Sequence, residues 1–343
     1  PLTGLSAYAD APTELLRTAT RDAFSNLVSE AIEEAVDFVI IAGDLYDGNW
    51  KDFNTGVFFA HEMGRLHSAG ILVFLVYGNH DAESEMTKKL TLPPNVFAFP
   101  SNKAHTHHIE NLKVALHGQS FKHAATIDNL ASGYPVPVQG WLNIGILHTA
   151  LEGYAAHASY APCALSELVA KGYEYWALGH VHEHAVLHTD PWVVFPGNLQ
   201  GRHIRETGAR GAMLVTAEDD RIVSVERLST DVLRWHRLEV DVSAADDLAS
   251  AVRIVGREFS LLFDTAYAGH PMAVRLVLTG RSAAHGDLFG SEAQLRAEIL
   301  ALSASLAGDR AWIEKVRVET IPALDAATVR ARSDAISDLQ SLL

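Results

Sequence analysis

Cysteine is almost absent from this sequence: Cys163 stands alone in 343 residues. One thiol cannot close an internal disulfide, so core packing must hold the chain, and the composition fits a reducing cytoplasm. Long apolar runs are missing as well. None approaches the roughly 20 residues that cross a bilayer as a helix, so no membrane partner is expected. Basic residues are in deficit, with 27 Lys and Arg against 42 Asp and Glu and a formal charge of −15. The deficit runs throughout, 15 against 26 in residues 1–229 and 12 against 16 in residues 230–343. With no basic arm, generic attraction to nucleic acid is opposed, and a phosphodiester substrate would need local metal charge or a partner to offset the acidity. Repeats and low-complexity tracts are also absent, which removes solenoids and disordered arrays.

What is present is ordinary globular composition, 48% hydrophobic and 20% charged, over a length that suggests two domains. The organising feature is a set of apolar strands with polar tips. Phe38-Val39-Ile40-Ile41 runs through Ala42 into Gly43-Asp44, where the glycine lets the backbone turn and throws the carboxylate onto the strand end. Three more repeat the pattern. Ile71 to Tyr77 ends in Gly78-Asn79-His80-Asp81, Leu142 to Leu147 in His148-Thr149, and Tyr175 to Leu178 in Gly179-His180-Val181-His182. In open α/β sheets the carboxyl ends of the strands are where ligands bind. One such tip is weak, since an aspartate there caps turns and a histidine is commonly a satisfied core or surface group. Four in order could converge on one cation.

In chain order, residues 13–36 read as an amphipathic helix capped by Thr13, and residues 55–69 as a second, each followed by one of these strands. This β-α-β rhythm implies parallel strands under helices. Shorter strands follow at 96–99 and 113–116, a helix at 164–171, a hairpin around Asp190-Pro191 and another joined at Asp219-Asp220. The run His105-Thr106-His107-His108, His184 and His188 read as solvated. Ser229-Thr230-Asp231 marks a boundary between residues 1–229 and a smaller domain at 230–322. Beyond it strands at 235–242, 272–279 and 313–319 alternate with helices at 245–263 and 291–306, and residues 323–343 read as a helical tail.

The set Gly-Asp, Gly-Asn-His-Asp, His and Gly-x-His resembles the signature of the calcineurin-like metallophosphoesterases. With Leu116-His117-Gly118-Gln119-Ser120-Phe121, Tyr160-Ala161-Pro162-Cys163 and Pro196 to Glu206, it looks like the DNA-repair exonuclease branch, the SbcD and YhaO type. The resemblance implies an α/β fold: a two-layered β-sandwich flanked by helices, with a small α+β domain capping it and contacting DNA. It implies a two-metal phosphodiesterase, a DNA exonuclease with endonuclease activity, acting as a dimer with a coiled-coil ATPase partner. Asp44 would bridge the two ions. Asn79, His148 and His180 would complete one, and His182 would serve the other. His80 would face the phosphate and assist the leaving oxygen, oriented by Asp81. The mixed ligand set suits Mn2+ first, then Zn2+, Fe or Mg2+. Arg202 and Arg205, with Arg210, sit on a Gly-flanked loop suited to phosphates; salt bridging to the acidic surface is the plain alternative for each. One departure stands out: the family's first strand ends in Asp-x-His, which serves the second metal, and no Asp-x-His precedes Asp44. Residues Pro1 to Leu5 look like the stretch immediately downstream of that motif, so the numbering reads as starting just after it. A small-molecule phosphodiesterase or phosphatase, which the net charge favours, and a metal-poor scaffold for the ATPase are the other readings.

Overall fold

The central strands of the first unit are apolar on both faces, and that decides how the layers stack. The computed structural model describes residues 13–46, 53–82, 91–151, 160–267 and 269–323, which fall into two compact units. The first comprises residues 13–201 and 209–232. Its helices α1 (Thr13–Glu33) and α2 (Phe53–Ser68) flank a three-stranded parallel sheet of β1 (Phe38–Ile41), β2 (Leu72–Leu75) and β3 (Val96–Ala98). Helix α1 stops three residues short of the sequence expectation because Ala35 turns into the left-handed region at φ 50°. A six-stranded sheet lies against the first. In spatial order it holds β4 (His105–Ile109), β5 (Val114–Gly118), β6 (Leu142–His148), β7 (Tyr175–Gly179), β9 (Trp192–Phe195) and β8 (Ala185–Thr189). Its inner strands are parallel, and β4 and β8 close the edges antiparallel.

Side chains alternate along each strand between two buried surfaces. Phe74, Val76, Leu116, Ile144, Ile146 and Val194 fill the space between the sheets. Val73 and Leu75 turn outward to meet Phe24, Phe59, Met63 and Leu66 of α1 and α2. On the far side Leu147, Trp176, Leu178 and Phe195 pack under α4 (Leu165–Ala170). The result is a helix–sheet–sheet–helix sandwich. Trp176 is fully buried, stacks on Tyr173 at 5.0 Å and donates from Nε1 to the Leu168 carbonyl at 3.0 Å. Its truncation to alanine would cost about 3–5 kcal/mol. The hairpin of β10 (Gly211–Glu218) and β11 (Arg221–Ser229) completes this unit. Its two-residue turn has Asp219 at φ 47° and Asp220 at φ 63°, the conformation that matches strand twist.

The second unit holds residues 202–208 and, among the described residues, 233–323. The chain crosses at Leu233 rather than after Ser229 because the Thr230 and Asp231 amides still donate to the Arg210 carbonyl, at 3.0 and 3.4 Å. Parallel strands β12 (Arg234–Asp241), β13 (Met272–Thr279) and β15 (Ala311–Val318) alternate with α5 (Leu248–Ala266) and, after the short α6 (His285–Gly290), α7 (Glu292–Ala307). Val240, Phe259, Leu276, Ile299 and Ile313 form its core. Asp247 caps α5, accepting from Ser250 N at 2.7 Å while Ser250 Oγ accepts the Asp247 amide at 3.1 Å. The pair β14 (Arg281–Ser282) and β16 (Ile321–Pro322) was not anticipated. Residues 324–343 of the expected helical tail lie outside the described residues.

Two sequence expectations need correction. The His105–His108 run is an edge strand in which His105 and His108 are exposed as expected, but His107 is half-buried, with its ring 4.8 Å from Phe99 and 5.7 Å from Phe74. His184 and His188 are half-buried, and His188 Nδ1 lies 2.8 Å from the Pro191 carbonyl.

Candidate metal centre

Four strand ends of the first unit meet at one point. Asp44 follows β1 in the left-handed region at φ 53°, and Gly43 before it sits at φ 104°. Both residues face the tip of β6. A Cβ on Gly78, beyond β2, would stand 2.6 Å from His148 Cε1 and closer still to Asp44 Oδ1. Glycine there is a packing requirement of the centre. His180, just past β7, also holds a positive φ of 98°. Such a backbone costs a non-glycine residue about 1–3 kcal/mol and persists where its surroundings over-determine it.

His148 is the hub. It is fully buried, and its Nδ1 lies 2.9 Å from the Ala42 carbonyl, which has no proton to give. Nδ1 is therefore the donor. Burial pushes the imidazole pKa down, against the opposing pull of the Asp44 charge and the Ala42 carbonyl. The ring is neutral, and Nε2 presents a lone pair. That lone pair faces Asn79 Oδ1 at 3.0 Å and Asp44 Oδ2 at 3.5 Å. Burial raises the Asp44 carboxyl; the opposing pull of the His148 and His80 imidazoles and of the His80 amide, which donates to Oδ1 at 3.1 Å, leaves it below the usual carboxylate range. Asp44 is thus an anion. Turning the Asn79 amide over would give His148 a donor, yet the carboxylate would still confront the same lone pair. A cation among these atoms resolves the opposition.

Ligand atoms of Asp44, His148 and His180 lie within 4.8 Å of one another, the candidate cluster among the described residues. Asn79 Oδ1 joins them through its approach to His148. Aromatic rings wall the cluster: Phe121 meets His148 edge-on at 5.2 Å, and Tyr160 meets His180 at 5.7 Å. The donor set of carboxylate, amide oxygen and imidazole suits a divalent ion. The Nδ1–Ala42 bond fixes the tautomer as an outer partner of a metal-binding histidine does.

The other expected residues fall variously. His182 is half-buried and not part of this cluster. His80 lies beside Asp44 through its amide. Asp81 is held by backbone amides. Its buried carboxylate accepts the amides of Leu45 at 3.2 Å, Tyr46 at 2.8 Å and Gly78 at 3.0 Å. It ties the loop after β1 to the loop after β2, because α3 (Asn79–Ala82) turns it back toward Gly78. Burial first, and the Asp44 charge second, push its pKa up to about 7. Arg202 and exposed Arg205 belong to the second unit, where the Arg202 amide donates to Glu206 Oε2 at 2.7 Å. Arg210 is not on the surface at all; its side chain is 1% exposed and bonds to the His182 carbonyl. Two participants were invisible in the sequence. The Ala42 carbonyl has no residue-type signature, and Arg210 read as one of three similar arginines.

The chain is similar to known proteins along most of its length. The family described as calcineurin-like phosphoesterase matches residues 17–184, and the middle domain of the metallophosphoesterase YhaO matches residues 235–321. The chain is 33% identical over 284 residues to YhaO of Bacillus subtilis, an uncharacterized metallophosphoesterase, covering 82% of this chain and 69% of that protein. It is 25% identical over 227 residues to the DNA double-strand break repair protein Mre11 of Sulfurisphaera tokodaii. To Mre11 of Methanopyrus kandleri it is 24% identical over 183 residues. The chain spans 58% and 39% of the length of these two. Among the described residues no helix is long and apolar enough to cross a membrane.

Proposed function

The chain belongs to the calcineurin-like metallophosphoesterases, phosphoester hydrolases that use divalent metal, and from that premise we propose that it cleaves the phosphodiester backbone of DNA. The reading is an exonuclease with accompanying endonuclease activity, acting in repair. The observation that carries the chemistry is the convergence of His148 Nε2, Asn79 Oδ1 and the Asp44 carboxylate, 3.0 and 3.5 Å from that nitrogen. The distant likeness to Mre11 supports the choice of DNA.

Asp44, Asn79, His148 and His180 would hold one ion, and Asp44 and His182 would contribute to a second, with Mn2+ the best fit to the donor set. When bound, such ions polarise a phosphoryl oxygen and lower the pKa of water. The chain's own residues do the rest. Asp81 locks the Asp44 and Gly78 loops together through three amides. Phe121 and Tyr160 limit water beside the imidazoles. His80 is assigned proton donation to the departing oxygen. Residues 233–323, with Arg202 and Arg205, are assigned to holding long duplex in register. A homodimer and a coiled-coil ATPase partner complete the proposal.

The net charge of −15 favours a second reading, a small phosphodiester. End-labelled linear duplex and thymidine p-nitrophenyl phosphate, each incubated with the full-length protein and Mn2+, separate the two. Shortening of the duplex from its ends supports the nuclease. Turnover of the small diester with intact duplex replaces DNA with a small substrate. Hydrolysis of neither leaves the metal-poor scaffold for an ATPase.

A further inference from the structure

Beyond the ligands, the loop that carries His180 and His182 has an unusual anchor. Upstream it is fixed by the β6–β7 register, His148 opposite Gly179, and by the Thr149 amide donating to the Gly179 carbonyl at 3.2 Å. Downstream the fixed point is the His182 carbonyl. It accepts Arg210 Nη1 at 2.7 Å and the Asn198 amide at 3.1 Å. The same guanidinium reaches Asn198 Oδ1 at 3.4 Å from Nη1 and Glu183 Oε2 at 2.9 Å from Nη2. Arg210 is itself held: its carbonyl accepts the Thr230 and Asp231 amides, and the next amide, Gly211, donates to the Asn198 carbonyl at 3.1 Å. A buried guanidinium is tolerated only when charge-paired and hydrogen-bonded. Here its bonds go to the loop carrying two of the expected ligands.

We propose that Arg210 is a positioning residue for the metal centre, its buried guanidinium holding the His182 carbonyl so that His180 keeps the positive-φ backbone that brings its ring to Asp44 and His148. The inference rests on the metal centre argued above. Between two fixed ends, residues 180–182 have little room to relax. With the downstream end released, His180 is free to return to an ordinary φ, and its ring leaves the cluster. Arg210 touches neither ion nor substrate in this scheme, and it acts through backbone. Glu183 is 66% exposed on its side chain, so it serves as the guanidinium's counter-charge at the surface. Asn198 adds a second, weaker tie to the same carbonyl.

The test is a Mn2+ titration of the full-length protein, followed by the electron paramagnetic resonance of free Mn2+. Arg210→Met is expected to raise the Kd by about 10–100-fold, the usual effect of losing a partner behind the ligands. Arg210→Lys, which can still reach one carbonyl, is expected to fall between. Activity of Arg210→Met is expected to recover as Mn2+ is raised, which a purely structural lesion would not allow. In a double-mutant cycle with His180→Ala, Arg210→Met is expected to add nothing further, since both act through one ring. Should Arg210→Met fail to fold by circular dichroism, Glu183→Gln removes only the counter-charge and should shift the Kd in the same direction by less. A folded Arg210→Met with the wild-type Kd overturns the proposal alone, as does full additivity with His180→Ala or an unchanged Kd in Glu183→Gln. A wild-type protein that binds no divalent ion overturns the metal centre and this proposal together.

Discussion

Both units place an aspartate at a parallel strand end beside a positive-φ glycine, yet among the described residues only the first makes a candidate metal centre. In the second unit β12 ends in Asp241, and Gly280 follows β13 at φ 96°, where a Cβ would run into Asp241 and Ser243. Asp241 is already satisfied. It accepts Ser243 N at 2.8 Å and Ser243 Oγ at 2.6 Å, and these bonds hold its carboxyl below the usual range in an exposed turn. Asp44 accepts an amide from His80, but its other oxygen faces a neutral imidazole that offers a lone pair. The strand-tip geometry is common to parallel sheets. What differs is whether the atoms facing the carboxylate bring protons or lone pairs, and whether water is kept out. A Gly-Asp tip therefore signals little until nitrogen and amide oxygen donors arrive from other strands.

The comparison breaks most sharply at the hub. His148→Ala is expected to weaken Mn2+ binding by more than the about 10–100-fold that loss of an outer partner costs, and activity should fall with it. Asp241→Asn, the matched change at the other tip, should leave ion stoichiometry and Kd untouched in the same titration. Equal effects at the two tips would show that the cluster around His148 does not hold the metal. His80→Gln should separate binding from chemistry. Its expected loss in kcat is about 10²–10⁴, the usual worth of proton transfer to a leaving group, with a wild-type Kd for Mn2+. His285→Gln, in the second unit, should change neither. A metal-loaded His80→Gln protein with near-normal turnover would remove His80 from the mechanism.

The sandwich was legible because apolar residues alternate onto two buried faces, as at Leu72 to Val76, and because Gly, Asn, Asp and His interrupt those strands at their carboxyl ends. The convergence of Asp44, Asn79, His148 and His180 followed from those interruptions once the family resemblance supplied the pairing. Other features depend on contacts that residue type does not encode. Histidine is amphipathic, so the run from His105 to His108 reads as polar, although His107 packs on Phe99 and Thr106 bonds to His117. Asp81 stands beside His80 in sequence, but the α3 turn aims its carboxylate at three backbone amides. Arg202, Arg205 and Arg210 look alike in one loop. Only folding carries Arg202 and Arg205 into the second unit and buries Arg210 in the first.

The smallest predicted effect concerns acid stability, and it also divides the units. His117 is fully buried on β5, its ring stacked on Tyr173 at 4.4 Å. Nδ1 lies 2.9 Å from Thr106 Oγ1, and Nε2 lies 3.1 Å from Asn143 Oδ1. A neutral ring satisfies both partners, donating from Nε2 to the amide oxygen and accepting the threonine hydroxyl at Nδ1. Burial lowers its pKa, the Asn143 bond opposes, and nearby His108 and Lys171 add to the lowering. The sign follows from linkage: the unfolded chain takes up a proton near pH 6.5 that the folded state refuses. The contribution is therefore whole above pH 6.5 and drains away as pH falls toward the folded pKa, by at most about 1.4 kcal/mol per pH unit. In the second unit the core is apolar, and among its described residues the buried polar groups are Glu206, Ser282, Ser303 and Thr320, none of them a histidine. Acid should then weaken the first unit before the second. His117→Gln keeps a polar side chain but removes the titration, so its urea midpoint should fall less between pH 7.5 and 5.5 than that of the wild type, even though lost stacking lowers it at pH 7.5. Parallel pH dependences in the two proteins, followed by circular dichroism, would show that His117 takes its proton without cost and that the first unit's acid sensitivity lies elsewhere.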